Sequence, residues 1–149
     1  MARKKPCTQS STEVNYGIPN DALYANDGLL TTRSYTKKQP ISWWEVDMQQ
    51  LVVIDSIVLH LDARALEKGY YGNVFIKTRA KDTDSLVLCT KVGVPRTVIN
   101  TLECGDITIA RYLRVTNENG DSFALFEVAV YGTAIVSGIF QLHRKDVNQ

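Results

Sequence analysis

Two adjacent tyrosines, Tyr70 and Tyr71, stand between Gly69 and Gly72. Aromatic rings held at a loop tip stack on a sugar face or fill a pocket in a partner protein. The competing reading has one ring packing down as the core of its own loop, and on composition alone the two stand equal. Elsewhere the chain lacks the groupings that catalysis needs. No nucleophile sits in sequence context with a base, no glycine-rich loop is built to cradle phosphate, and no ligand triad is spaced for a metal-bound water. The histidines are two, His60 and His143. His60 reads as a residue of the strand before the tyrosine loop and His143 as a solvated tail residue. Three cysteines, Cys7, Cys89 and Cys104, leave one over in any pairing, and Cys7 is placed to link to another chain. No Cys-x-x-Cys or Cys/His cluster suggests zinc. The spacing of Cys89 and Cys104 suits a bridge across a hairpin, worth roughly 3 kcal/mol if oxidised. Two buried thiols suit it equally well.

The chemistry left is recognition, and the totals narrow its kind. A chain of 149 residues is one domain of ordinary size, able to bury a core. A formal charge of +1 with scattered Lys and Arg argues against a partner held by many phosphates, nucleic acid above all. Arg3, Lys4 and Lys5 form a small basic cluster that reads as a solvated end. No stretch approaches the ~20 apolar residues of a membrane span, and no apolar run follows Met1–Lys5 as in a signal peptide.

What must position any binding residues is mostly strand. Thr8 to Pro40 is polar and turn-rich, with the turn signal Asn26-Asp27-Gly28, and reads as ordered loop with short extended pieces. Trp43–Met48 and Leu51–Leu61 are strands by their aromatic and β-branched content. Asp62–Gly69 has room for a helical turn, but Gly69 and Gly72 mark it as loop. Further strands are expected over 74–78, 86–89, 98–102, 107–116 and 125–131. In the last, Phe126, Val128 and Val130 share one face, Glu127 takes the other, and Gly132 ends the strand. At least six short strands without a convincing helix predict an all-β sandwich or barrel spanning 1–132. Residues 133–149 form a C-terminal extension whose apolar run, Ile135–Leu142, is expected to dock as an extra edge strand.

Three segments together resemble one superfamily. Pro6-Cys7-Thr8-Gln9-Ser10-Ser11 resembles the "P-x-x-Q-S-S" opening of discoidin and F-type lectin domains. Trp43-Trp44-Glu45-Val46-Asp47-Met48 is similar to their "WWEVDL" strand. Arg111-Tyr112-Leu113-Arg114-Val115, then Leu125-Phe126-Glu127-Val128-Ala129-Val130-Tyr131-Gly132, is similar to their closing strands. Order and spacing hold over nearly the whole chain. The resemblance implies a discoidin-like jelly-roll β-sandwich with loops clustered at one end. The double Trp and the Cys89/Cys104 pair lean toward the F-type, fucose-binding lectins. Neighbouring strand residues face opposite ways, so one Trp packs the sandwich and the other lies under a loop or at an edge.

The same resemblance implies two sites. One is a structural Ca2+ tying the N-terminal loop to the last strand. Its ligands would be Asp27 and Glu127, main-chain oxygens of Tyr24 and Leu29, and Ser34. Calcium takes six to eight hard oxygens and tolerates backbone carbonyls. The other is a sugar site in which the family places a His, an Arg-x-Asp and a further basic residue. Lys37 falls at the His, Arg64 near the Arg, Leu66 at the Asp, and Lys68 or Lys77 at the last position. Lys37, Arg64, Lys68, Tyr70 and Tyr71 are therefore the expected ligand-binding residues. The function implied is an extracellular or cell-surface glycan-binding lectin with fucosylated ligands, no catalysis, and oligomeric or tandem display for avidity. The other reading is a discoidin-like adhesion module that binds cell-surface proteins through the tyrosine loop.

Overall fold

The computed structural model describes residues 1–135 and the backbone of 142–145. Eleven strands are present among these: β1 (Cys7–Gln9), β2 (Val14–Asn15), β3 (Ile18–Pro19), β4 (Ser34–Tyr35), β5 (Ile41–Leu61), β6 (Asn73–Arg79), β7 (Val87–Gly93), β8 (Ile99–Leu102), β9 (Ile109–Glu118), β10 (Ala124–Ile135) and β11 (Leu142–Lys145). All the pairings are antiparallel. The two strands expected around residue 50 are one. β5 runs 21 residues and turns a corner between Asp47 and Val52, where its register against β9 shifts. At that corner Gln49 takes a φ of 61°, and its N–H donates to Asp47 Oδ1 at 2.8 Å. Before the corner β5 pairs with β1 and β9, and after it chiefly with β10 and β8. A strand shared between sheets in this way closes a β-sandwich of the discoidin-like jelly-roll kind.

Period-two alternation fills the core. Trp44, Val46 and Met48 before the corner, and Ile57, Leu59 and Leu61 after it, are buried from β5. Val74 and Ile76, Leu113 and Val115, and Val128 and Val130 meet them from β6, β9 and β10. The double Trp divides as strand geometry requires. Trp44 is buried, and its Nε1–H donates to Ala22 O at 2.8 Å. Trp43 is half-buried under the Arg114 guanidinium, 3.8 Å from its ring centre. Arg114 also pairs with buried Glu45 at 3.0 Å, and Arg79 meets the same carboxylate at 2.8 Å. A disulfide joins Cys89 of β7 to Cys104, just past β8.

Several expectations are corrected. β10 does not stop at Gly132 but continues to Ile135, because a residue without a side chain lets the strand pass close to β5. A Cβ at Gly132 would lie 2.4 Å from Val53 O. β11 then pairs with the end of β10, Gly132 opposite Lys145. Of the apolar run expected to dock, residues 136–141 lie outside the described residues, as does the side chain of His143. The N-terminus is only partly a solvated end, with Lys4 exposed and Arg3 and Lys5 half-buried. Met1 and Ala2 are buried in the core, held where Asn26 Nδ2 donates to Ala2 O and Lys5 O. Asp62–Gly69 is not all loop. Ala63–Glu67 forms a short helix, α1, because Asp62 Oδ1 accepts the N–H groups of Arg64 and Ala65.

Candidate functional site

A cavity of about 440 Å3 opens between α1 and the ends of β4 and β10. Arg33, Tyr35, Asp62, Arg64, Lys68 and Phe126 line it together with Tyr70 and two alanines of α1. Each arrives for a local reason. On the segment entering β4, Ser34 and Thr36 are buried, so Arg33 and Tyr35 face the other way. Arg64 and Lys68 stand four residues apart, on one side of the α1 turn. Phe126 sits at a β-bulge. Leu125 pairs with Leu61 and Glu127 with His60, so two steps along β10 match one along β5. The extra residue breaks the expected alternation, and Phe126 leaves the face of Val128 and Val130 to form an apolar wall of the cavity.

Asp62 is the cavity's organising group. It is 4% exposed and accepts the guanidinium of Arg33 on Oδ2 while capping α1 with Oδ1. Arg33 in turn lies over the Tyr35 ring, 4.5 Å from its centre. Lys68 Nζ is 5.7 Å from the centre of the Tyr70 ring. The rim thus presents guanidinium and ammonium donors beside aromatic faces, a combination that binds polyols through hydrogen bonds and ring stacking.

A second cluster forms where the N-terminal segment meets β10. The Glu127 side chain is buried, and its Oε1 has no hydrogen-bond partner. Burial first, and the charge of Asp27 second, push its pKa up to about 7. The backbone N–H groups of Gly28 and Val128, and then the Arg3 charge, pull in the other direction. Asp27 Oδ1 accepts from Leu29 N at 2.9 Å and Oδ2 from the Thr32 hydroxyl at 2.5 Å. Gly28 takes a φ of 82°, a conformation that residues with a side chain rarely adopt. Ser34 is buried beside this corner, and its hydroxyl donates to Leu125 O at 3.5 Å.

The model of the F5/F8 type C family described as NedA-like, galactose-binding domain matches residues 24–115. The chain belongs to this family. The match runs from the Asp27 turn through α1 to β9, so it takes in every cavity residue except Phe126. Among solved structures, this galactose-binding-type domain is similar to a Streptococcus pneumoniae fucose binding module at 24% identity and a TM-score of 0.73, over 87% of this chain and 92% of that one. Chitosan-binding module 1 from the chitosanase/glucanase of Paenibacillus sp. IK-5 is 22% identical at a TM-score of 0.73, over 88% and 97%. The fucolectin from the serum of Morone saxatilis (striped bass) is 20% identical at a TM-score of 0.73, over 90% of this chain and 48% of that one. At these identities the likeness establishes the fold. No curated protein matches by sequence.

Within the galactose-binding-type domain, the sequence-derived residues divide. Arg64, Lys68 and Tyr70 come together at the cavity. Tyr71 does not. It is buried, donates its hydroxyl to Ala124 O at 2.6 Å, accepts from Asp62 N at 2.9 Å, and packs edge-on against Phe123. Lys37 does not line the cavity either. β4 ends at Tyr35, Thr36 turns inward to cap Phe123 N, and exposed Lys37 bonds through its backbone to Ser11 Oγ. Lys77 lies on β6 and pairs with Glu118 at 3.7 Å. His60 is a β5 residue opposite Glu127. Cys7 is half-buried, its thiol 3.6 Å from Asn26 Oδ1, and burial pushes its pKa up to about 11. Such a thiol is a poor nucleophile at neutral pH. Arg33, Tyr35, Asp62 and Phe126 were not anticipated. The alternation in Arg33-Ser34-Tyr35-Thr36 and the capping Asp before Ala63 were the available signals for the first three. A larger cleft, about 690 Å3, lies beside the disulfide, lined in part by Val87, Leu88, Ile107 and Ile109, and holds none of the expected binding residues.

Proposed function

We propose that this domain is a glycan-binding module whose ligand seats in the cavity between α1, β4 and β10. The observation that carries this is convergence. Arg33 and Tyr35 from the β4 segment, Arg64 and Lys68 from the α1 turn with Tyr70 just after it, and Phe126 from β10 come together at one cavity. Arg64 and Lys68 supply hydrogen bonds, each worth roughly 1.5–3 kcal/mol before solvent competition, and Tyr70 supplies a stacking face. Asp62 holds Arg33 in the way that the family's Asp, absent at Leu66, would have held Arg64. Solved structures that share the fold are named for fucose and chitosan. No histidine lines the cavity, so a fucosylated glycan would be held there by Arg64 and Lys68 instead.

A structural calcium ion belongs to the same proposal. The buried, partnerless Oε1 of Glu127 beside the Asp27 carboxylate fits a hard cation. Asp27, Glu127 and Ser34 would hold it, with main-chain oxygens of Tyr24 and Leu29. Bound there, it would neutralise both carboxylates and fasten the polar N-terminal loop to β10. The disulfide suits an oxidising compartment, in keeping with a module displayed outside the cell. Sites of this kind are weak singly and gain from multivalent display.

The test is a broad glycan array probed with the purified domain, once in calcium and once in chelator. Sugar binding that Arg64→Ala and Lys68→Ala both abolish supports the site. A blank array from a folded protein removes the glycan reading and turns attention to protein partners. Binding that survives the chelator, with an unchanged melting temperature, removes calcium.

A further inference from the structure

We infer that the cavity selects a sugar carrying an anionic group, a carboxylate or a sulfate ester; this rests on the glycan-binding reading above. Among its lining residues are three cations, Arg33, Arg64 and Lys68, and one carboxylate, Asp62. That carboxylate is already committed on both oxygens. Oδ1 takes the Arg64 and Ala65 N–H groups at 2.8 and 3.3 Å, and Oδ2 takes Arg33. Asp62 therefore neutralises Arg33 and has little left for a ligand hydroxyl. Arg64 and Lys68 are exposed, and neither forms an ion pair among the described residues.

The side-chain hydrogen-bond inventory then favours one ligand class. Guanidinium and ammonium groups only donate. A neutral sugar offers those donors hydroxyl oxygens, which accept but also carry protons that, among the cavity's side chains, only phenolic oxygens can take. A carboxylate or sulfate brings acceptors alone. A carboxylate also matches the planar fork of an arginine with two parallel bonds. Arg64 and Lys68, four residues apart on one side of α1, can bracket one such anion while the sugar ring rests on Tyr70. The +1 charge of the whole chain is no objection, because the relevant excess is local.

Calorimetric titration with galactose, galacturonic acid and galactose 6-sulfate, alongside neutral, uronic-acid and sulfated glycans on an array, tests the inference. The expected result is at least a tenfold preference for the acidic sugars, shrinking severalfold between ionic strengths of about 0.01 and about 0.15 M. Arg64→Gln and Lys68→Gln, both at exposed positions, should collapse that ratio while the melting temperature holds. Preference for the uronic acid over the sulfate assigns the anion as a carboxylate, and the reverse assigns a sulfate ester. Equal, salt-insensitive binding of neutral and acidic sugars overturns the inference and leaves the glycan-binding reading standing. No binding to any sugar overturns both.

Discussion

Asp62 and Glu127 are buried almost equally, at 4% and 5% exposure, on adjacent parts of the same sandwich, yet they stand in opposite conditions. Both oxygens of Asp62 have partners within the chain. Glu127 keeps one oxygen with none, and its pKa is pushed up to about 7. Burial alone therefore does not set a carboxylate's role. A satisfied carboxylate is scaffold, and it leaves neighbouring cations free to face solvent. One with a buried oxygen left without a partner favours a proton or a bound cation.

Removing the satisfied group should have the largest effect. Asp62→Ala takes away the partner of Arg33 and the α1 cap together. The expected loss is roughly 3–4 kcal/mol, toward the low end for a buried pair because Arg33 is about a third exposed. Chemical denaturation would measure it, and a loss below about 1 kcal/mol would show that the two carboxylates do not differ as described. Asp62→Asn should keep the cap and lose less.

The second effect is on pH. The folded-state pKa of Glu127 lies above its ordinary value of 4.5. In chelator, its contribution to stability is therefore full below about pH 4.5 and is lost as pH rises through about 7, by about 3 kcal/mol. Calcium, which needs the ionised form, should flatten or reverse that trend. Melting curves across this range, with and without calcium, read both arms, and Glu127→Gln should erase the slope and the calcium shift together. A wild-type protein with no pH slope in chelator contradicts the contrast.

Tyr71→Phe comes next, at about 1–3 kcal/mol, because Ala124 O and Asp62 N would both lose a buried partner. Since that hydroxyl ties the Asp62 cavity to β10, this variant should also weaken sugar binding, although Tyr71 faces no ligand. The smallest stability change is expected for Arg64→Ala, within about 0.5 kcal/mol at an exposed position. Its effect should appear in glycan titration alone.

The strands were legible because β-branched runs and turn residues are local signals. The merging of Trp43–Met48 with Leu51–Leu61 was not, because a corner residue at positive φ, Gln49, resembles a turn. Of the cavity, Arg64 and Lys68 were readable from the resemblance to the family's basic positions, and Tyr70 from the tyrosine pair set between glycines. Arg33, Asp62 and Phe126 were not, because their meeting depends on the pairing of β4 with β10 and on the bulge. Lys37, placed by the family's pattern, stands apart from the cavity for a similar reason, since β4 ends two residues earlier. Tyr71 failed because a residue beside an exposed aromatic can point inward with equal ease.

The bulge at Phe126 sets three consecutive residues to three tasks: Leu125 fills the core, Phe126 walls the cavity, and Glu127 faces Asp27. An insertion or deletion at this point would move all three assignments at once, whereas a substitution touches only one. A lineage carrying this strand can therefore explore new ligands by exchanging side chains but hardly by changing length here. Across relatives, the count of residues between Ala124 and Val128 should drift far more slowly than their identities.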